Sequence, residues 1–290
     1  MKLDKEHIDL DAVDRQSKAF FKGGKFHWER GEATVWANLE AQIEAQPKGR
    51  SLFLHFSLSK WAVAASIVLI FTIGSFLRFY SITIETVAGQ HLVAELPDHS
   101  KVNLNAQSTL TYHPYWWKIN RRVQLHGEGF FEVEKGRKFT VESTKGITQV
   151  MGTSFNIYAR EEVYAVTCIT GSVKVKSRLG FETILKPDSK AEIQSNGEIK
   201  VITHIETFPE ISWKKNIFLF TAFPVLQVFS EIERQYGVKI ETRISNYSLY
   251  TGNFTKDQNV EEVLGYVCPA LGLKYSRMSE GKYLITKQDE

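Results

Sequence analysis

The residues best suited to chemistry, namely the histidines, cysteines and glycine-rich stretches, form no recognised catalytic pattern in this sequence. The eight histidines are scattered, and none stands at metal-ligand spacing from another histidine, a cysteine or a carboxylate. The sequence contains no Gly-x-Ser-x-Gly nucleophile elbow, no phosphate-binding loop and no dinucleotide-binding fingerprint. We therefore expect a protein that is not an enzyme and that uses no metal ion and no cofactor.

Two remaining candidates for chemistry have simpler structural explanations. The stretch Gly127-Glu-Gly-Phe-Phe131 lies between strand patterns with no helix after it, which favours a β-bulge or a tight corner over a phosphate-binding loop. Cys168 and Cys268 stand in a strand-like and a helix-like run of different predicted domains. A disulfide is the alternative, but this placement favours two separately buried thiols.

One uncharged run divides the sequence into two unequal parts. The 17 residues from Trp61 to Leu77 stand between Lys60 and Arg78. As an α-helix they would be about 25 Å long, close to the hydrocarbon core of a bilayer at about 30 Å. The alternative is a buried core helix, but the run lacks a polar face. We therefore predict one transmembrane helix over residues 60–80.

The charges beside this run predict its orientation. Lys48, Arg50 and Lys60 precede it, whereas no Lys or Arg follows Arg78 until Lys101. By the positive-inside rule, the shorter N-terminal part is cytoplasmic and the longer C-terminal part lies outside the cytoplasm.

The N-terminal part, residues 1–59, is predicted to be a short helical segment. Its clearest pattern is a set of apolar residues at spacings of three to four, namely Val35, Trp36, Leu39 and Ile43. Such a short segment has too few apolar groups for a stable core of its own. The stripe therefore suggests a partner that completes the core, with a self-packed bundle or a flexible tail as alternatives.

Beyond the run, hydrophobic residues alternate with polar ones over residues 85–203. The stretches Lys101-Val-Asn-Leu-Asn-Ala106 and Phe155-Asn-Ile-Tyr158 are examples, and turn sequences such as Asn196-Gly197 separate them. About ten short strands with no helix between them predict an antiparallel all-β domain, either a sandwich or a barrel-like fold.

The pattern changes again over residues 217–287, which predict a small α+β domain of order β-α-β-β-α-β-β. Pro224 is expected to open its first helix and Asn259 to cap its second. Two of its predicted strands are Ile217–Phe220 and Thr251–Thr255. The fold class is thus a membrane-anchored multidomain protein: a helical segment, one transmembrane helix, a β domain and an α+β domain.

Charge excludes one further class of function. With 36 basic and 33 acidic residues and a net charge of +3, the chain has no polyelectrolyte character, so we expect no direct binding to nucleic acid.

A series of motifs in the β region resembles the FecR-type anti-sigma regulators. In order, the motifs span residues 96–112 (LPDHSKVNLNAQSTLTY), 122–133 (RVQLHGEGFFEV), 139–141 (FTV), 150–157 (VMGTSFNI) and 171–175 (GSVKV). Residues 217–287 look like the C-terminal domain that accompanies this family in Bacteroidetes-type members. That domain is itself similar to the small signalling fold associated with secretins and TonB-dependent transporters.

The resemblance implies a relay across the cell inner membrane. In this family, the signalling domain of an outer-membrane TonB-dependent transporter contacts the periplasmic part of the regulator. The cytoplasmic segment then frees or helps to activate an extracytoplasmic-function sigma factor. The N-terminal 60 residues match the family only loosely, but the partner of the stripe Val35, Trp36, Leu39 and Ile43 would then be the sigma factor. Membrane proteases are a further kind of partner. The alternative is a membrane-anchored periplasmic β-domain binding protein without transcriptional signalling.

Some FecR-type regulators cut themselves at a Gly-Thr bond, and Gly152-Thr153 occupies the matching motif here. The Thr hydroxyl could attack the preceding carbonyl and give an ester that water cleaves. The alternative is that the two residues simply form a corner between strands.

The sequence also departs from the family pattern at three positions. The family usually has Gly where His99 stands, Ala at the position of Gly129, and Gly near Asp188. Since His and Asp tolerate a positive φ better than most residues, we expect the turns at His99 and Asp188 to be kept.

Overall fold

The computed structural model describes residues 14–15, 17–19, 22, 31–44, 58–161, 163–244 and 248–288. The chain divides into two compact units, residues 1–67 and 68–290, which are considered separately below. The rest of the predicted N-terminal segment lies outside the described residues.

The first unit contains helix α1 (Glu32–Glu44) and the start of helix α2 (Leu58–Phe79), which continues into the second unit. Two hydroxyls of α2 bond back to the helix backbone: Ser66 donates to the Ala62 carbonyl and Thr72 to the Leu69 carbonyl. This local satisfaction of polar groups removes the main cost of placing hydroxyls in an apolar helix.

Thirteen strands of described residues form the β domain of the second unit. They are β1 (Ile82–Glu85), β2 (Leu92–Glu95), β3 (Lys101–Leu104), β4 (Thr109–Tyr112), β5 (Arg121–Glu132), β6 (Phe139–Glu142), β7 (Gly146–Val150), β8 (Ser154–Arg160), β9 (Val163–Thr170), β10 (Val173–Ser177), β11 (Glu182–Leu185), β12 (Ser189–Ile193) and β13 (Ile199–Thr203).

The long strand β5 belongs to both sheets of this domain. Its first half pairs with β4 and β6 in a sheet of order β1-β4-β5-β6-β7-β10-β11, here called sheet A. Its second half pairs with β3 and β8 in a sheet of order β2-β3-β5-β8-β9-β12-β13, here called sheet B. Neighbouring strands are antiparallel except β5 and β6, which run parallel, so the expected antiparallel domain has one exception.

Glycine permits the bend at which β5 changes sheets. Gly127 has a φ of +99°, and a Cβ added there would lie 2.5 Å from the Ser108 hydroxyl. This agrees with the predicted corner in the glycine-rich stretch. The two turn substitutions also behave as expected, because His99 and Asp188 have φ values of 65° and 57°.

The α+β region follows, with two short helical turns first. Its elements are α3 (Phe208–Ile211), a 3₁₀ turn (Ser212–Lys215), β14 (Ile217–Pro224), α4 (Val225–Tyr236), β15 (Lys239–Thr242), β16 (Leu249–Thr255), α5 (Val260–Val267), a 3₁₀ turn (Pro269–Leu271), β17 (Leu273–Ser279) and β18 (Lys282–Lys287). Strands β14 and β16 form one sheet of the described part, and β15-β18-β17 form another.

The helix boundaries of this region follow local chemistry. The Asn259 side chain accepts a hydrogen bond from the Glu262 backbone N–H, and the Glu262 side chain accepts one from the Asn259 backbone N–H. These two bonds form a capping box, of which the sequence predicted the Asn259 cap. Pro224 precedes α4 as its cap and ends β14, so the helix begins one residue later than expected. Its fixed φ suits both elements, but its ψ of 126° is that of a strand.

Two cores hold the second unit together. Phe131, Phe155 and Ile157 are among the side chains that fill the space between the sheets. A second core lies around α4 and α5, and it includes Phe130 of β5. Consecutive Phe130 and Phe131 thus occupy opposite faces of one strand, and both faces are buried. Cys168 and Cys268 lie in different cores as free, buried thiols, as predicted.

Candidate functional site

Helix α4 packs on the outer face of sheet B through a row of polar side chains. Gln235 donates to Asn105 at 2.8 Å and to Glu231 at 2.7 Å, and its amide oxygen lies 3.1 Å from the His91 ring. Asn105, Glu231 and Gln235 are all buried. Because buried polar groups are costly unless they are paired, this row specifies one seating of α4 on the sheet.

Glu128 lies at the centre of this contact, next to the bend of β5. One carboxylate oxygen accepts the Asn105 amide at 2.8 Å and the other accepts the Asn156 amide at 2.9 Å. Despite these bonds and the nearby Arg160 charge, burial raises the pKa of Glu128 to about 7. The carboxyl group is therefore expected to change from its protonated to its ionised form near neutral pH.

The other acid in the contact remains ionised. Glu231 accepts two hydrogen bonds from Arg234, at 2.9 and 3.0 Å. Its pKa is lowered although it is buried, because the Arg234 and Arg160 charges and these hydrogen bonds outweigh desolvation. Arg234 also reaches Glu161 at 3.3 Å and the Tyr158 hydroxyl at 3.4 Å, so one side chain links α4 to β8 and the residue after it.

A cleft of about 600 Å³ opens beside this polar row. Sheet B supplies Lys190 and Glu192 to one wall, and residues 218–224 of β14 supply the other. In the described part of the sheet, β14 pairs with β16 alone, so each of the two strands has one edge without a strand partner. The edge of β14 borders the cleft, which makes it the candidate docking site for another chain.

The predicted sigma-factor contact lies on one side of α1. Trp36 is 64% exposed and Ile43 is 70% exposed, while Leu39 is exposed and Val35 half-buried. Spacings of three, four and seven residues place Trp36, Leu39 and Ile43 on the same helix face. The structure therefore brings these residues together as an accessible apolar stripe.

Gly152 and Thr153 lie between β7 and β8, as the corner interpretation predicts. Thr153 is buried, and its hydroxyl donates to the Ser172 carbonyl at 3.1 Å. Gly152 has a φ of +148°, and an added Cβ would lie 2.7 Å from Lys135 Cγ. The bond is thus held in a conformation that favours glycine, and the Gly152 carbonyl oxygen packs against Gly171, where an added Cβ would lie 3.0 Å from it.

Sequence reasoning missed the polar row between α4 and sheet B. Its members His91, Asn105, Glu231 and Gln235 come from three separated stretches. Each alone resembles an ordinary exposed polar residue of a strand, loop or helix. One usable signal was the double phenylalanine at 130–131, since two adjacent large apolar residues indicate a strand covered on both faces.

The comparisons with known proteins match the two regions in order. The family model for FecR protein matches residues 82–174, and that for the FecR C-terminal region matches residues 217–285. Together they account for more than half of the chain. The chain belongs to the FecR-type anti-sigma factor family.

Solved structures agree with this assignment to the FecR family. Two crystal structures of proposed anti-sigma factors from Parabacteroides distasonis ATCC 8503, at 2.50 and 1.65 Å resolution, resemble this chain. Both have a TM-score of 0.66 and 26% sequence identity, and the matches cover 72% and 71% of this chain and 99% of each of those chains. No functionally curated protein matches the sequence.

Family membership makes this FecR-type protein a regulatory rather than an enzymatic kind of protein. Of the described residues, one helical stretch, Lys60–Phe79, is long and apolar enough to span a membrane, and none of it is buried. This is consistent with single-pass anchoring of an anti-sigma regulator.

Proposed function

We propose that this protein is a single-pass inner-membrane anti-sigma factor that relays a signal between two partners. In the proposal, the signalling domain of a TonB-dependent outer-membrane transporter docks on the periplasmic side. An extracytoplasmic-function sigma factor binds on the cytoplasmic side, and membrane proteases are a further kind of partner.

The exposed stripe of α1 carries the proposal. A Trp that is 64% exposed and an Ile that is 70% exposed on one helix face are unfavourable in water unless another surface covers them. Burying each such side chain contributes roughly 1.5–3 kcal/mol, so a few of them can supply most of the affinity of a micromolar complex. In an anti-sigma family, a sigma factor is the protein that such a stripe would bind.

The charge distribution supports the orientation. Lys48 and Arg50 precede the apolar helix in sequence and Lys60 lies in its first turn, which favours a cytoplasmic location for α1, where a sigma factor can bind it. The two FecR-type regions follow the helix and would then lie in the periplasm, where a transporter's signalling domain can reach them.

The open edge of β14 supports docking by strand addition. A strand with an unpaired edge beside a cleft can accept a strand from another chain, with main-chain hydrogen bonds supplying affinity. The side chains lining the cleft would then set specificity.

Deleting residues 1–59 tests the proposed function without knowledge of the inducing ligand. Transcript profiles of cells with the full chain and with the shortened chain should differ in the genes of one sigma factor. Protected Cys168 and Cys268 thiols would show that the remaining part stays folded. Unchanged transcript profiles at equal abundance would instead favour an anchored binding protein without transcriptional signalling.

A further inference from the structure

The connection between β4 and β5, residues 113–120, packs against the end of α2. The Tyr115 ring lies 5.4 Å from that of Tyr80 and 6.5 Å from that of Phe76, centroid to centroid. The Arg78 guanidinium lies 5.2 Å from the Trp116 ring centroid. A ring nitrogen of His113 is 3.0 Å from the Tyr80 carbonyl oxygen. This connection, here called the β4–β5 loop, is therefore fixed beside the C-terminal end of the apolar helix.

The outer side of the β4–β5 loop is apolar and basic. Tyr115 is 57% exposed and Ile119 is 64% exposed, although both belong to a well-packed domain. Lys118 is exposed as well, and its carbonyl oxygen accepts a hydrogen bond from the exposed Arg137. By contrast, Trp117 is buried and packs edge-on against Tyr112 and Phe139, so it anchors the loop from inside.

This mixture of side chains is typical of the interface between a bilayer and water. Tyr and Trp rings concentrate there because one end is apolar and the other polar, and Lys and Arg reach the phosphates of the headgroups. The loop lies at the level of that interface if α2 spans the bilayer, because the helix ends at Phe79, directly beside it.

We propose that the β4–β5 loop inserts its exposed face, Tyr115, Lys118 and Ile119, into the headgroup region of the leaflet from which α2 emerges. The proposal rests on the proposed membrane anchoring by α2. Continuity between the loop and the helix end favours a lipid surface over a protein, because any chain bound at Tyr115 would have to share its site with the headgroups around Tyr80. The contact would limit rotation of the β domain about α2.

The proposal is compatible with the orientation argued from charge. Lys118 and Arg137 lie far from α2 in sequence and reach it only after the β domain has folded. Orientation is set during insertion by charges near the helix in sequence, so these two residues do not oppose it.

Fluorophore labelling of the full chain in vesicles of phosphatidylethanolamine and phosphatidylglycerol tests the proposal. A polarity-sensitive maleimide dye is placed at Ile119→Cys or Lys118→Cys, and quenching by lipids with a spin label near the headgroup is measured. The native thiols do not interfere, because burial raises the pKa of Cys168 to about 11 and that of Cys268 to about 12. Labelling of the unmutated chain checks this.

Two control positions separate the loop from the helix. Ile70→Cys lies within α2 and reports membrane spanning itself. Leu179→Cys lies in the turn after β10, at the end of sheet A opposite to the loop. The loop end of the sheet is marked by the pair Arg121 and Phe139, and the opposite end by the pair Gly146 and Ser177. Both residues are exposed, so the dye should not disturb packing.

We expect blue-shifted emission and strong quenching at Ile119 and Lys118, quenching at Ile70 by deeper spin labels, and none at Leu179. Quenching at Ile70 without quenching at either loop position would overturn the loop proposal and leave the anchoring intact. Absence of quenching at all positions would overturn both. Equal headgroup quenching at Leu179 and Ile119 would show that the domain lies on the surface unspecifically, which also contradicts the proposal.

Discussion

Gln235 of α4 donates a hydrogen bond of 2.8 Å to the side-chain oxygen of Asn105, 130 residues earlier in the chain. Both side chains are almost completely buried, so water cannot replace either group if the other is removed. This bond and its neighbours join the FecR C-terminal region to the sandwich. If the C-terminal region receives the signal, as proposed, this contact is a defined route from it to the β domain.

Gln235→Ala should loosen the C-terminal region. Removing the amide leaves buried partners unpaired, which costs about 1–3 kcal/mol. We expect the urea midpoint for Cys268 labelling to fall, while Gln227→Ala on the same helix, whose side chain is half-buried, shifts it little. Equal midpoints for the two variants would show that the hydrogen bonds of Gln235 contribute nothing to stability.

Glu128 should make the stability of the second unit depend on pH. Burial raises its pKa from an ordinary value of 4.5 to about 7, so the folded state binds the proton more tightly than the unfolded state does. Stability is therefore highest below the unfolded pKa and falls as the pH rises from about 4.5 through 7, by a few kcal/mol at most.

Glu128→Gln provides the matched control for this pH dependence. The amide cannot ionise, and rotation of Asn156, whose side-chain oxygen has no hydrogen-bond partner, can present an acceptor to it. Between pH 5.5 and 8, the urea midpoint of the natural chain should fall more than that of the variant. If the urea midpoints of the natural chain and the variant changed equally with pH, the raised pKa of Glu128 would be contradicted.

Strand addition at β14 should be sensitive to loss of a backbone hydrogen-bond donor and much less sensitive to truncation of a side chain. Leu219 is half-buried and lies in the part of β14 that lines the cleft. Leu219→Pro removes a backbone donor and should abolish ligand-dependent induction, whereas Leu219→Ala should cost much less. Cys268 protection in both variants serves as the check on folding, and retained induction in a folded proline variant would rule out docking at this edge.

Self-cleavage at Gly152-Thr153 gives a simple protein-chemical result. If the Thr153 hydroxyl attacks the Gly152 carbonyl, the purified chain should contain a fragment that begins at Thr153. Thr153→Ala should abolish the fragment and Thr153→Ser should retain it, because only the latter keeps the hydroxyl. A single intact band from the natural chain, unchanged in Thr153→Ala, would end the hypothesis.

The sequence predicted those parts of the fold that depend on local pattern. Alternation in β strands, the cap at Asn259 and the positive φ at His99 each follow from a residue and its neighbours. Long-range juxtaposition was out of reach, as the parallel pairing of β5 with β6 and the contact between Gln235 and Asn105 show. The sequence around one residue of such a pair does not indicate which distant residue it will contact.

The candidate site shows the same division. The stripe of Trp36, Leu39 and Ile43 could be read from helical spacing alone, and the structure leaves it exposed. The raised pKa of Glu128 could not be predicted, because the burial that causes it comes from α4 packing over sheet B.

Binding of a sigma factor to α1 tests the central claim most directly. The extracytoplasmic-function sigma factors of the source genome are measured against the full chain in lipid nanodiscs, with Trp36→Ala plus Leu39→Ala as the variant. Thr34→Ala, on the opposite face of α1, is the control. We expect one sigma factor to bind and the double variant to weaken it by about two orders of magnitude or more, with Thr34→Ala unchanged. Binding of equal strength by the double variant, or no binding by any of these sigma factors, would contradict the account.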